Sequence, residues 1–323
     1  MASQRLINST EELKSVVGAV QSDLVFEAIQ SFVDDAEINH IIPAIGYPLY
    51  DALREPTTDI KKIRALMLLR KAVANFAIHY YVAFGSVQIS ESGIFVTKTD
   101  RVLPASDKKT LQLRLQSRAD GFKGLEAAII YLESNLNDFA EYANDVAHAQ
   151  NTRLYTNTCA EFSQGFDLHG NVEAFTRFKF VIETVEQNYI DNLLGSTLTT
   201  ALRSAVLNNT ASADQKKLLA KIARVTPLLT VAEAIPYRLV EFDNSGMITS
   251  SIVSNGDNVE ASTAGDMKRL QALMNATLQK GLSQLAILTK WLNDNAGLFP
   301  GYATSDLSAN SKLNDEERGV YFI

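Results

Sequence analysis

The residues Phe26, Ile29, Val33, Ala36, His40 and Ile41 fall three or four apart, the spacing of one helix face. The same spacing returns at Phe175, Phe178, Ile182, Val185, Tyr189 and Ile190. Each series runs into a glycine, Gly46 or Gly195, where a helix C-cap is expected, and a short helical piece follows to Leu53 or Leu202. Long helices are predicted over 59–84 and 214–239, the second broken by Pro227 and Pro236. The period then changes. Val87-Gln88-Ile89 alternates, Glu91-Ser92-Gly93 turns and Ile94 to Thr97 runs back β-branched, and 239–253 repeats the pattern around Asn244-Ser245-Gly246. A final long helix closes each half, over 108–143 and 263–295. The pattern predicts a mainly α fold of two tandem copies of a helical-bundle domain, each with a small β-hairpin.

The duplication is also visible residue by residue. A shift of 149 positions lays 26–53 on 175–202 without a gap, and eight of the 28 pairs are identical, where composition alone gives roughly two. Glu37/Glu186, Asn39/Asn188 and Gly46/Gly195 are among them. Downstream, 59–63 pairs with 214–218, Ser92-Gly93 with Ser245-Gly246, and Leu136-Asn137-Asp138 with Leu292-Asn293-Asp294. A period near 150 is too long for a solenoid unit. The expected organisation is a first repeat over 1–143, a connecting segment over 144–171, a second repeat over 172–302 and a docking tail over 303–323. That tail is polar until it ends Val320-Tyr321-Phe322-Ile323.

Composition narrows the function classes. With 323 residues, 46% apolar and 21% charged, the chain has the make-up of a globular protein of about two domains. A formal net charge of -7, shared between the halves, offers no basic tail for nucleic acid or anionic membrane. No apolar run approaches a membrane span, and the N-terminus lacks the apolar core of a signal peptide, so a protein made and used in solution is expected. The single Cys159 cannot form an internal disulfide and reads as a buried thiol. No dinucleotide, phosphate-loop, zinc or nucleophile-elbow motif occurs. His40, His79, His148 and His169 lack metal-ligand spacing, and His40 and His79 read as packed helix residues. Asp34, Asp35 and Glu37 point to different azimuths of one helix, which favours a solvated face over a cation site. No catalytic, cofactor or metal residue is assigned.

LINSTEEL at the start, the helix ending in IGYPLYDAL, the long helix, the SVQISESGIFV hairpin and the aromatic C-terminus together resemble the head-to-tail connector (adaptor) proteins of tailed bacteriophages. The likeness is to the double-length kind of the crAss-like phages of Bacteroidetes. It implies a helical virion protein without enzymatic activity or cofactor, assembled in the host cytoplasm and residing at the head-tail junction. Its partners would be about twelve copies of itself in a closed ring, the portal protein and neighbouring tail or ring proteins. DNA would be a passing cargo only.

Strands and tails that reach out can add to a neighbour's sheet edge or pocket. The residues expected at subunit or portal contacts are therefore Ile89, Gly93, Ile94 and Phe95 in the first hairpin, and Phe242, Gly246 and Met247 in the second. Val320, Tyr321, Phe322 and Ile323 complete the set in the tail. The competing expectation is an intracellular α-helical ligand-binding protein or enzyme with its pocket between the two repeats.

Overall fold

The computed structural model describes residues 5–18, 24–84, 87–90, 93–96, 106–238, 240–243, 246–249 and 264–304. It is mainly α-helical and divides into two units, one of residues 1–151 with 171–173, the other of residues 152–170 with 174–323. The segment 144–171, expected from sequence as a connector, is thus shared between them.

In the first unit, α1 (Thr10–Val16) is capped by Ser9 and leads to a 3-10 turn, Phe26–Ala28. Next come α2 (Gln30–Ala36), a π-helical turn Glu37–Ile41, α3 (Ile42–Ile45) and α4 (Tyr47–Arg54). The π turn inserts one residue, so the fully buried Ala36 and Ile41 stand five apart and His40 falls on a half-buried flank. Gly46, between α3 and α4, has φ 78° and ψ 154°, a conformation essentially restricted to glycine. The long α5 (Ile60–Phe84) and α6 (Asp107–Ser134) pack side by side, and β1 (Val87–Ser90) and β2 (Gly93–Val96) lie between them in the chain. Close approach is bought by glycine: a Cβ on Gly124 would stand 3.1 Å from the Ala72 backbone nitrogen. A 3-10 turn Leu136–Asp138, α7 (Ala140–Ala143) and α8 (Val146–Asn151) close the unit, with Asn151 donating to the Ala44 carbonyl at 2.8 Å.

The second unit follows a similar order, with the counterparts of α3 and α4 merged across a kink at Gly195 and with no element described after its final 3-10 turn: α9 (Cys159–Phe162), α10 (Val172–Val185), a π turn Glu186–Asp191 and α11 (Asn192–Leu207). These are followed by α12 (Ala213–Arg238), β3 (Val240–Asp243), β4 (Gly246–Thr249), α13 (Ala264–Asp294) and a 3-10 turn Ala296–Leu298. The π turn begins at the residue 149 beyond Glu37, and Gly195 repeats Gly46 with φ 74° and ψ 161°.

The structure corrects three expectations. First, α12 runs through Pro227 and Pro236 instead of breaking. A mid-helix proline costs about 3 kcal/mol, but Val225, Leu228, Leu229, Val231 and Ala232 beside Pro227 are all buried, and that packing outweighs it. Second, the part of the second unit that matches the first begins before residue 172, inside the segment expected as a connector. Asn8 and Asn157, each bonded to a glutamate four residues on, and the N-caps Ser9 and Thr158 occupy equivalent places. Third, two pairings slip. The matched last turn sets Asn135 against Asn295, Phe139 against Phe299 and Tyr142 against Tyr302, not Leu136 against Leu292. Tyr142 donates to Glu133 at 2.5 Å and Tyr302 to Asn293 at 2.8 Å, which fixes that register. Likewise the buried Ala65, Leu69 and Phe76 of α5 match Leu218, Ile222 and Leu229 of α12, a shift of 153, so Asp59 corresponds to Ser212 and not to Asp214.

Candidate functional site

The duplicated acid is structural in its geometry. In the second unit the Glu186 carboxylate is fully buried and accepts the backbone N–H of Tyr155 at 2.9 Å and of Thr156 at 3.2 Å. Arg203 stands 3.8 Å away. Burial nevertheless dominates and pushes the Glu186 carboxyl up to about 8. In the first unit Glu37 accepts the Leu6 N–H at 2.8 Å and the Tyr50 hydroxyl at 2.6 Å, and burial likewise raises its pKa. Each π turn therefore swings a carboxyl inward to hold the chain segment that precedes its unit's first helix. Sealed in this way, neither acid is open to a substrate.

The remaining titratable groups are similarly engaged. His40 stacks on Phe76 with centroids 3.8 Å apart and meets the Tyr80 hydroxyl at 2.8 Å, and burial pushes its pKa down to about 4. His79 meets the Arg114 carbonyl at 2.9 Å. Asp34 pairs with Arg5, Asp35 faces solvent and Glu37 is inside, so these three acids do not converge. Cys159 is buried. Among the described residues no group of His, Cys, Asp and Glu is placed to hold a metal ion, and no helix is long and apolar enough to cross a membrane.

The expected contact residues of the hairpins lie on antiparallel pairs of matching register. Ile89 stands opposite Ile94, Gln88 opposite Phe95 and Ser90 opposite Gly93. Phe242 stands opposite Met247 and Asp243 opposite Gly246. Val320, Tyr321, Phe322 and Ile323 lie outside the described residues. Sequence reasoning did not single out the helix that leads away from the first hairpin. In α6, residues 111–116 are all exposed, and Leu111, Leu113 and Leu115 keep 50%, 49% and 55% of their surface in solvent. At 100° per residue, Leu113 projects from the side opposite Leu111 and Leu115. Its counterpart in α13, Leu273, is 47% exposed. The signal was the alternation of leucine with polar residues inside a helical context, a pattern that no single buried face can absorb.

No curated protein and no solved structure matches the chain. The model of DUF6712, a family of unknown function, matches residues 41–151 and 183–311, together well over half of the sequence. The chain belongs to that family.

Proposed function

We propose that this protein is a structural virion subunit, two copies of one hairpin-bearing helical unit fused in tandem, that closes with copies of itself into a ring between portal and tail. In this reading it is a head-to-tail adaptor through which DNA passes, with no enzymatic activity and no cofactor. It contacts its neighbours and the portal through the two hairpins and the C-terminal docking tail. The observation that carries the reading is the leucine-bearing start of α6, repeated at Leu273. A helix exposed around its whole circumference gains nothing from leucines on opposite sides unless other chains cover them. Contacts of unlike faces, repeated head to tail, close into a ring when the subunits are rigid. The two π-turn carboxyls and the long helix pairs supply that rigidity.

Native mass spectrometry and electron-microscopy averages of the full chain, alone and with its portal, test this. The wild type is expected to give closed rings in at least one condition. The double variant Leu113→Asp and Leu273→Asp should retain its helical circular dichroism but lose the rings, since exposed substitutions shift stability by only about 0.5 kcal/mol. Monomers in every condition would overturn the reading.

A further inference from the structure

The two units differ most informatively where an arginine is missing. In the first unit Arg70 of α5 lies along the segment that precedes α1. Its Nε donates to the Leu6 carbonyl at 2.7 Å and its Nη2 to Glu12 Oε1 at 2.7 Å. The second unit keeps both acceptors in equivalent places, Tyr155 for Leu6 and Glu161 for Glu12. On α12, however, Ala223 stands where Arg70 was and Ala220 where Met67 was. Beside Ala220 and Ala223 lies a cavity of about 310 Å³, lined by Tyr155, Asn157, Glu161 and Lys216 among others.

The carboxylate in this cavity is half committed. Glu161 Oε2 accepts the N–H of Asn157 at 2.8 Å and of Thr158 at 3.0 Å, as Glu12 Oε2 accepts the N–H of Asn8 at 2.7 Å. Oε1, the oxygen that Arg70 occupies in the first unit, has no partner among the described residues. Lys216 is the cation on the lining; it is exposed and replaces the Ile63 of the first unit.

We propose that this cavity is a binding site for a guanidinium group, presented by a free small molecule or by an arginine of another polypeptide. The first unit supplies the template for the bound geometry: one donor to the Tyr155 carbonyl and one to Glu161 Oε1. The chain of the ligand lies over Ala220 and Ala223. A planar fork meets two such acceptors with a fixed pair of N–H donors on one edge, as Arg70 does, whereas the donors of an ammonium diverge tetrahedrally from one nitrogen and match that pair less well. The inference does not depend on ring assembly.

The test uses the full chain labelled at the alanine methyl groups and titrated with N-acetyl-L-arginine amide. Ala220 and Ala223 should shift with a dissociation constant on the order of 1 mM, and the lysine analogue should bind about tenfold more weakly. Ala223→Arg fills the site from within. It should abolish probe binding and raise the urea midpoint read by Trp291, the only tryptophan and a residue of this unit. Glu161→Gln keeps the capping geometry, because glutamine also serves at that position, and should weaken the probe about tenfold. Sedimentation separates the sources. Weaker self-association in Ala223→Arg identifies an arginine of another copy as the occupant, and unchanged self-association identifies a guanidinium from outside the protein's own copies. Unmoved alanine resonances in the wild type, or undiminished probe binding in both variants, would overturn the proposal.

Discussion

Replacing Glu186 by glutamine should remove a pH dependence from the second unit and so reverse the order of stability of the two proteins between pH 5 and pH 8. The carboxyl is fully buried and pushed from its ordinary 4.5 up to about 8. Below 4.5 it holds its proton in both the folded and the unfolded chain. Between 4.5 and 8 the unfolded chain releases the proton and the folded one retains it, so stability falls as pH rises and the loss is complete above about 8. At about 1.4 kcal/mol per pH unit, the whole span amounts to about 5 kcal/mol. The groups that face Glu186 are the N–H donors of Tyr155 and Thr156, the Arg203 guanidinium and Asp191. The donors and the arginine oppose the shift, Asp191 adds to it, and burial exceeds them all. Glutamine still accepts from the Tyr155 N–H but does not ionise, so its cost is the same at every pH. Urea unfolding followed by Trp291 fluorescence should therefore find the wild type the more stable at pH 5 and Glu186→Gln the more stable at pH 8. Parallel pH profiles for the two proteins, or a wild type that gains stability between pH 5 and 8, would refute the reasoning.

Two further substitutions exploit the comparison between units. Alanine at Gly46 or Gly195 meets the same backbone strain, on the order of 1–3 kcal/mol. Only at Gly46 would the new Cβ collide with Asp145, whose Oδ1 accepts the Ala147 N–H at 2.8 Å at the start of α8. Hydrogen exchange read peptide by peptide should show the first unit losing about 1 kcal/mol more in Gly46→Ala than the second loses in Gly195→Ala, and equal losses would exclude the steric term. Arg70→Ala removes two bonds at a site where Arg70 and Glu12 side chains are 24% and 32% exposed. It should lower the stability of the first unit by about 1–2 kcal/mol in the same assay, and protection unchanged across residues 5–16 would contradict the role given to the pair.

Much of the fold was legible because its signals are local. Apolar spacing located the long helices, Gly46 and Gly195 marked helix ends, and Ser92-Gly93 and Ser245-Gly246 marked the turns between paired strands. What escaped was whatever departs from a fixed period. A π turn adds one residue, so Ala36 and Ile41 share a face only after the fact. The segment from Tyr155 to Phe162 read as a connector because it keeps few identities with 6–13, although its hydrogen bonds repeat theirs. The end of α13 slipped by four residues, one helical turn, which a pattern of period 3.6 scarcely distinguishes from the true register. The leucines of α6 were passed over because an apolar residue in a long helix is by default assigned to the core.

Besides core residues such as Leu49 and Leu198, several pairs that stay identical between the units do backbone work. Glu37 and Glu186 hold the preceding segment, Glu12 and Glu161 cap its helix, Gly46 and Gly195 turn the chain, and Asn135 and Asn295 each bond the carbonyl four residues back at 2.9 and 2.8 Å. Replacing any of these would unsettle the fold of its unit. Three pairs that diverge, Ile63 and Lys216, Met67 and Ala220, Arg70 and Ala223, lie along one stripe of the long helix, where Ile63 and Met67 are exposed at 39% and 61%. Core packing places little constraint on such a stripe, so a change of charge and volume along it alters what the unit presents without altering how it folds. The first unit closes its stripe with its own arginine, while the second leaves a carboxylate facing a cavity. One scaffold thus offers two different surfaces, as the ring role proposed above would require of a subunit with unlike neighbours.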